Sequence, residues 1–515
     1  MSRCRIGLLF TAAAFACGSA QAVSLSSRGT GQVLLFPYYS AEAGQQTLVT
    51  IVNPTASARA LRVRFAESRN GKAVFSLSVY LAANDTWTGA VFAPGAAGAA
   101  QFVSFDRSCA LANQDAPLAA GVPVAFSTAA YTGANRDWSE AGTPAALAAK
   151  LGAPERTRRG FVEVIEMGRL RAGTAALELA DELATSPAAA CTAIATAWRT
   201  SGTSGWSDDA SRAIDLPAGG LFGNGAVVDV ANGTMLSYVA TALDDFYSVT
   251  AAPGALHQAP ASARPALDDA RNTADTARVR VLRSDASPAI EQFPAARAID
   301  AVSLALMATY LRGDYNADPA LGAATEWIVA FPTKRFYTDV ESDAAVRAPF
   351  TDAFRDDGRA DERFGAEWRR RNGAPPGILY PVCLDPFGTC PPLPTLAQAV
   401  LTIAWSADPR RTTPIFGATP GDDALGIPLS DIAGSLMPTG WASLKFWWEE
   451  AQSYPNVLTA PGSGIGYRGL PAIGFGATQL VNTNVVPGVL ANYGDATPLW
   501  SRLDANPPVA TEASR

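Results

Sequence analysis

A mainly-β fold, built from Ig-like β-sandwich units with α-helical insertions, is predicted by three observations. First, apolar and polar residues alternate: Leu61, Val63 and Phe65 with Arg62, Arg64 and Ala66, then Phe75, Leu77, Val79 and Leu81 with Ser76, Ser78 and Tyr80. Side chains of a strand point to opposite faces in turn, so each stretch offers one oily face and one wetter one. Second, Asn70-Gly71 lies between the two stretches and supplies the positive φ angles of a tight hairpin. Third, 44 glycines and 36 prolines provide turns at the density that many short strands require. With 48% hydrophobic residues over 515 positions, the chain can bury more than one core.

The first residues read as an address. Arg3 and Arg5 precede an apolar run over 6–16 and the small-residue site Ala20-Gln21-Ala22, the pattern of a Sec-type signal peptide cleaved after Ala22. That run is too short for a stable membrane anchor, and cleavage is preferred over lipidation at Cys17 because Phe15 spoils the lipobox. Periplasmic or extracellular residence follows, with no transmembrane segment after the leader leaves. The net charge of −7 becomes more negative once Arg3 and Arg5 are removed, and no basic stripe remains, which excludes nucleic acid as a partner.

After the leader, residues 23–170 read as an N-terminal sandwich. Five strands fall between Gly29 and Val91, followed by QFVSF at 101–105, a strand within 123–131 and GFVEVIE at 160–166. At 171–215 the period changes: Leu177, Leu179 and Leu183, then Cys191, Ile194 and Trp198, recur on helical faces, predicting a helical insertion. Residues 216–345 read as a second β-rich unit. It contains a long surface connection at 251–295, a helix over 298–312, and a strand at 325–337 interrupted by Pro332. A charged, proline-rich insertion spans 346–395, and strands within 396–515 complete the second unit, with frayed sequence after Tyr493.

Four cysteines outlast the leader. An exported chain in an oxidising compartment makes disulfides of Cys109, Cys191, Cys383 and Cys390. Pro386 and Gly388 suit a reversal that returns Cys390 to Cys383, which leaves Cys109 for Cys191.

Little here predicts catalysis. The single histidine, His257, sits in a proline-flanked linker and is expected to be an exposed bystander, not the rigidly held base of a nucleophilic triad. Gly464 to Gly469 matches GxGxxG, but Pro461-Gly462 and Leu470-Pro471 flank it where a strand and a helix are needed. Asp314 to Asp318 starts like a calcium loop, yet Pro319 occupies the turn-glycine position. No cofactor and no metal are expected. Glu163 and Glu166 fall on opposite faces of one strand, while Glu67, Glu326, Asp339, Glu449 and Glu450 would have to converge in space to act as paired acids. Eleven tryptophans, among them Trp87, Trp327, Trp405, Trp441, Trp447 and Trp448, are assigned to packing within strands, with a sugar-stacking platform as the alternative use.

The blocks GTGQVLLFPYY, TLVTIVN, LRVRFAES, NDTWTGAV, GFVEVIEMG, PAGGLFGNGAVVDV, ATEWIVAFPTKRFYTD and VLANYG together resemble an uncharacterised family of exported bacterial proteins. The resemblance spreads over most of the mature chain. It implies a shared fold and export, and transfers no activity, cofactor or site residue.

The function expected is structural, or the binding of other envelope or extracellular macromolecules, without catalysis. The alternative is a secreted carbohydrate-active enzyme or sugar-binding protein using clustered carboxylates and tryptophans. The expected docking point is an unpaired sheet edge from Trp327 through Lys334, Arg335, Phe336 and Tyr337, where cations and aromatics meet the end of a strand.

Overall fold

The computed structural model describes residues 21–113, 116–171, 186–202, 205–283, 287–339, 346–370, 377–379, 395–406, 408, 410–430, 434–447, 456–482 and 491–506. The fold is mainly β, with 44% of residues in strands against 13% in helices. Cys383 and Cys390, with their predicted bond, lie outside the described residues, as do Trp448, Glu449 and Glu450.

Two sheets make the first sandwich. One is eight-stranded and runs Ser24–Leu25, Thr241–Asp244, Val33–Ser40, Arg159–Leu170, Arg59–Glu67, Ala73–Leu81, Cys109–Leu111, with Ile214–Asp215 paired to the end of Arg159–Leu170. The other is six-stranded, in the order Thr234–Val239, Phe222–Asp229, Gln45–Asn53, Asp85–Phe92, Gln101–Val103, Val124–Ala125. The oily faces read from the alternation meet between them, where Phe102 of the second sheet lies 5.7 Å from Phe65 and 5.3 Å from Phe75 of the first. The strands between 222 and 244 therefore belong to this sandwich and do not open the second unit at 216, because Phe222–Asp229 pairs along its whole length with Gln45–Asn53.

A second pair of five-stranded sheets forms the other half. The third sheet orders Gly377–Leu379, Gly365–Arg370, Thr439–Lys445, Tyr310–Asn316, Trp500–Arg502; the fourth orders Ala424–Pro428, Val400–Ser406, Ala323–Ala330, Ile473–Asn482, Ala491–Pro498. Trp405 of the fourth sheet packs 5.8 Å from Tyr315 and 6.3 Å from Trp368 of the third. Three expectations are corrected here. Residues 365–370 form a strand of the third sheet inside the region read as a charged insertion, and the sequence after Tyr493 is not frayed as far as Asn506 but supplies strands to both sheets. The helix expected over 298–312 stops at Ala305, because Tyr310–Asn316 is drawn into the third sheet beside Thr439–Lys445.

The sandwiches share a polar and aromatic junction. Tyr238 stacks on Phe475 at 4.6 Å, and the amides of Ala399 and Val400 donate to the carbonyls of Arg69 and Ser68. Glu67 receives both arms of Arg156, which also reaches Asp137. Burial pushes the Glu67 carboxyl up, but the Arg156 charge and hydrogen bonds win and hold it below the ordinary value.

The outer face of the first sheet is covered. Arg62 donates to the carbonyls of Ala259 and Pro260 at 2.7 and 2.6 Å, and Arg64 bonds Pro265 at 2.8 Å and pairs with Glu163 at 2.9 Å. The region predicted as a surface connection thus caps the sheet before forming the hairpin Thr276–Leu282 with Pro288–Pro294. Helix Pro187–Arg199 packs beside it, held by the Cys109–Cys191 disulfide that elimination predicted, while Leu177, Leu179 and Leu183 of the expected helical insertion lie outside the described residues. His257 is buried there and is no bystander. Its Nε2 lies 3.1 Å from the Tyr80 hydroxyl and its Nδ1 2.9 Å from the Ala210 carbonyl, with Trp198 and Trp206 against the ring.

Candidate functional site

The expected docking edge is not an edge. Ala323–Ala330 is the central strand of the fourth sheet, paired on one side with Val400–Ser406 and on the other with Ile473–Asn482. Trp327 is wholly buried and donates its Nε1 proton to the Asp314 carbonyl at 3.3 Å. Pro332 does not leave a ladder unpaired. It follows the end of a fully paired strand and leads into the short helix Arg335–Thr338. Lys334 points inward, its Nζ donating to the carbonyls of Ala360 and Leu396 at 2.6 and 3.0 Å, and burial brings its pKa down to about 8. Tyr337 is buried against Asp300 and Ser303, while Arg335 lies 4.1 Å over the half-buried ring of Phe336. This is structural chemistry at the end of a core strand.

Nor do Glu163, Glu166 and Glu326, among the described residues, converge on a common site. Glu163 and Glu166 are buried in separate ion pairs with Arg64 and Arg59. Glu326 is held by the amides of Ile415 and Phe416 at the junction, and burial raises its pKa to about 7. Asp339 lies 3.9 Å from Lys72. Among the described residues no cluster of histidine, cysteine and acidic side chains could hold a metal ion. The residues after Asp314 continue a strand to Asn316, and Gly466–Arg468 is itself a strand, so neither motif match forms a binding loop.

A different surface brings together the residue types that recognition requires. In antiparallel strands, directly opposed residues share a face. On the third sheet Tyr310 lies opposite Lys445 and Arg502; Arg312 opposite Ser443 and Trp500; Asp314 opposite Trp441. Glu367 and Arg369 of the next strand continue the rows, opposite Ser443 and Trp441. The alternate residues Leu311, Tyr315, Ala442 and Leu444 point into the sandwich.

The outward set forms a platform with three rings. Trp500 is 80% exposed and Trp441 38% exposed, in a molecule that buries Trp87, Trp327 and Trp405 almost completely. Arg312 sits 4.2 Å above the centre of the Tyr310 ring and 5.8 Å from that of Trp441, a cation–π bridge that orients both. Glu367 anchors one side, bonded to Lys445 at 2.9 Å and to Arg369 at 2.7 Å. Partial burial pushes the Glu367 carboxyl up, yet hydrogen bonds from Lys445 and Arg369 hold it below the ordinary value, so it is an anion at neutral pH. Arg312 and Asp314 are exposed. Rings flanked by fixed hydrogen-bonding groups can hold an extended ligand carrying both apolar faces and hydroxyls.

Sequence reasoning assigned Trp441 to packing and did not single out Trp500. The signal was present in part: Trp441, Ser443 and Lys445 share a parity opposite to Ala442 and Leu444, which places Trp441 with the polar set. For Trp500, the short run after Pro498 carries no comparable pattern. Comparison with family models, with curated proteins and with solved structures finds no match for this chain.

Proposed function

We propose that this chain is an exported, non-catalytic binding protein of the cell envelope or extracellular space, and that the Tyr310–Trp441–Trp500 platform holds a glycan. The observation that carries the reading is a pair of exposed tryptophans on one sheet face. Single exposed apolar residues are ordinary, but rings gathered on one face form the kind of apolar patch that marks a binding surface. Sugar rings present apolar C–H faces that stack on indoles, and their equatorial hydroxyls reach outward to groups such as Arg312, Asp314 and Glu367. A shallow face with its acids paired or open to water supports binding over hydrolysis. Glycosidases need two carboxyl groups facing each other across a scissile bond, one of them kept protonated. Export rests on the leader at 1–22. No helix among the described residues is long and apolar enough to cross a membrane.

The test is retention of the purified protein on insoluble polysaccharides, peptidoglycan included, with calorimetry on soluble fragments. Wild type should be retained, and Trp441→Ala/Trp500→Ala should lose at least about tenfold in affinity, since removing two indoles removes apolar contact area that contributes about 25 cal/mol per Å². Failure to bind any glycan, or equal binding by the double variant, would overturn the platform. Release of reducing ends by the wild type would put the carbohydrate-active enzyme in its place. Export is checked separately by sequencing the mature N-terminus, expected at Val23.

A further inference from the structure

The second sheet presents the opposite kind of outer face. Register places Val239, Ser237 and Met235 opposite Asn224, Ala226 and Val228. The next strands bring Phe222 opposite Val52, Asn224 opposite Thr50, Ala226 opposite Leu48 and Val228 opposite Gln46, then Thr86, Thr88 and Ala90. Val103 and Gln101 follow beside Ala90 and Phe92. None of these outward positions is charged. Met235, Val239, Leu48 and Phe222 are 57, 66, 43 and 38% exposed, so the face is open.

An uncharged face of this breadth is unusual on a chain of net charge −7. Charged residues normally keep exposed sheet surfaces solvated and separate. We infer that this face is a homodimer interface, in which the second sheets of two copies stack about a two-fold axis. Three observations favour a second copy as the occupant. A two-fold interface must be complementary to itself, and here Leu48 projects directly beside the nearly buried Ala226, a ridge next to a hollow. The four long strands, about 4.8 Å apart and about eight residues long, span roughly 500 Å² in projection. Side-chain relief and the short fifth strand enlarge that toward the roughly 800 Å² per partner of a standard interface. Finally, the outer face of the third sheet bears Arg312, Asp314, Glu367, Arg369 and Arg502. Stripping water from those charges against an uncharged wall would be unfavourable, whereas like against like buries no charge and lets hydroxyls and amides such as Thr88, Ser237 and Asn224 pair across the seam. Two sheets stacked in this way would lie about 10 Å apart.

The experiment is sedimentation equilibrium of the full mature chain across micromolar concentrations. Wild type should sediment at twice the monomer mass, and Leu48→Arg should be monomeric at concentrations where wild type is dimeric. Thr88→Glu, at an exposed hydroxyl position, is the second variant should Leu48→Arg fold poorly; it should weaken association at least about tenfold. Arg312→Glu, on the opposite sandwich, should leave the dimer intact. A monomeric wild type at every concentration would overturn the inference, as would dimers that survive in the folded Leu48→Arg or Thr88→Glu protein. Loss of the dimer in Arg312→Glu alone would move the interface to the platform and equally overturn it. Glycan retention is measured on the same samples, so failure of the platform and failure of the dimer are distinguishable.

Discussion

Two strands with the same written pattern end in opposite surroundings. Arg62 and Arg64 alternate with Leu61, Val63 and Phe65 on the first sheet, and Arg312 and Asp314 alternate with Leu311 and Tyr315 on the third. In the first case the polar face is sealed: Arg62 is fully buried beneath Ala259 and Pro260, and His257, Trp198 and Trp206 fill the neighbouring space. In the second case Ser443 is buried among its neighbours, but Arg312 and Asp314 meet solvent and Trp500 and Trp441 lie in the open. A polar alternation therefore reports which side chains share a face, and says nothing of what lies above it. Covered polar faces act in stability; open ones are free to bind.

Stability measurements should separate the two faces sharply. On the covered side, Trp198 donates to the Tyr80 hydroxyl at 2.8 Å and packs 5.3 Å from Trp206. Trp198→Ala is expected to cost about 3–5 kcal/mol through the cavity it leaves, plus the loss of that bond. Denaturant unfolding reads this directly; a loss under about 1 kcal/mol would mean that the helix does not seal the sheet.

Somewhat smaller is the effect of the clip that holds the cover. Cys109 and Cys191 are 82 residues apart, and freeing a loop of that size in the unfolded chain costs about 2–5 kcal/mol. Cys109→Ser/Cys191→Ser should lower stability by that amount and raise amide exchange in the helix Pro187–Arg199. The outer rows of the third sheet should exchange as before.

The pH response tests the cover from within. Burial among aromatic rings brings the His257 pKa down to about 4, with a smaller raising contribution from the Ala210 carbonyl and a lowering one from Arg62. Its contribution is fully present above about pH 6.5 and is lost as pH falls through 4, a change of about 3 kcal/mol. Glu326 at the junction has the opposite sign. Burial raises it to about 7 against the amides of Ile415 and Phe416, Thr413 and Arg159. Its contribution is fully present below about pH 4.5 and is lost as pH rises through 7, again about 3 kcal/mol. Between those limits the two slopes offset each other. Removing one should unmask the other: His257→Asn should be progressively less stable toward pH 7, and Glu326→Gln progressively less stable toward pH 4. Parallel profiles for both variants would refute the pairing.

The smallest stability effect is expected where the binding effect is large. Trp500 is 80% exposed, so Trp500→Ala should shift unfolding by no more than about 0.5 kcal/mol while weakening glycan retention. A stability loss comparable to that of Trp198→Ala would show that the ring is packed and not presented.

Much of the architecture follows from the amino-acid sequence by itself. The period-two runs within 59–67 and 73–81 dictate strands, and the loop 68–72 that joins them turns at Gly71, which takes a positive φ while Asn70 does not. The bond between Cys109 and Cys191 was reached by elimination, from the oxidising compartment and the reversal that favours Cys383 with Cys390. The candidate site was legible only in its parts, because Trp441 could be placed on a polar face but Trp500, some 60 residues on, could not be placed beside it. Tertiary structure decided that Lys334 lies inward at the end of a central strand, that His257 is enclosed, and that residues 258–265 lie over a strand almost 200 positions earlier. The reason is physical. Alternation and turn chemistry act between near neighbours in the chain and are written there, whereas the covering of a face is settled by which distant segment gains most by leaving water against it.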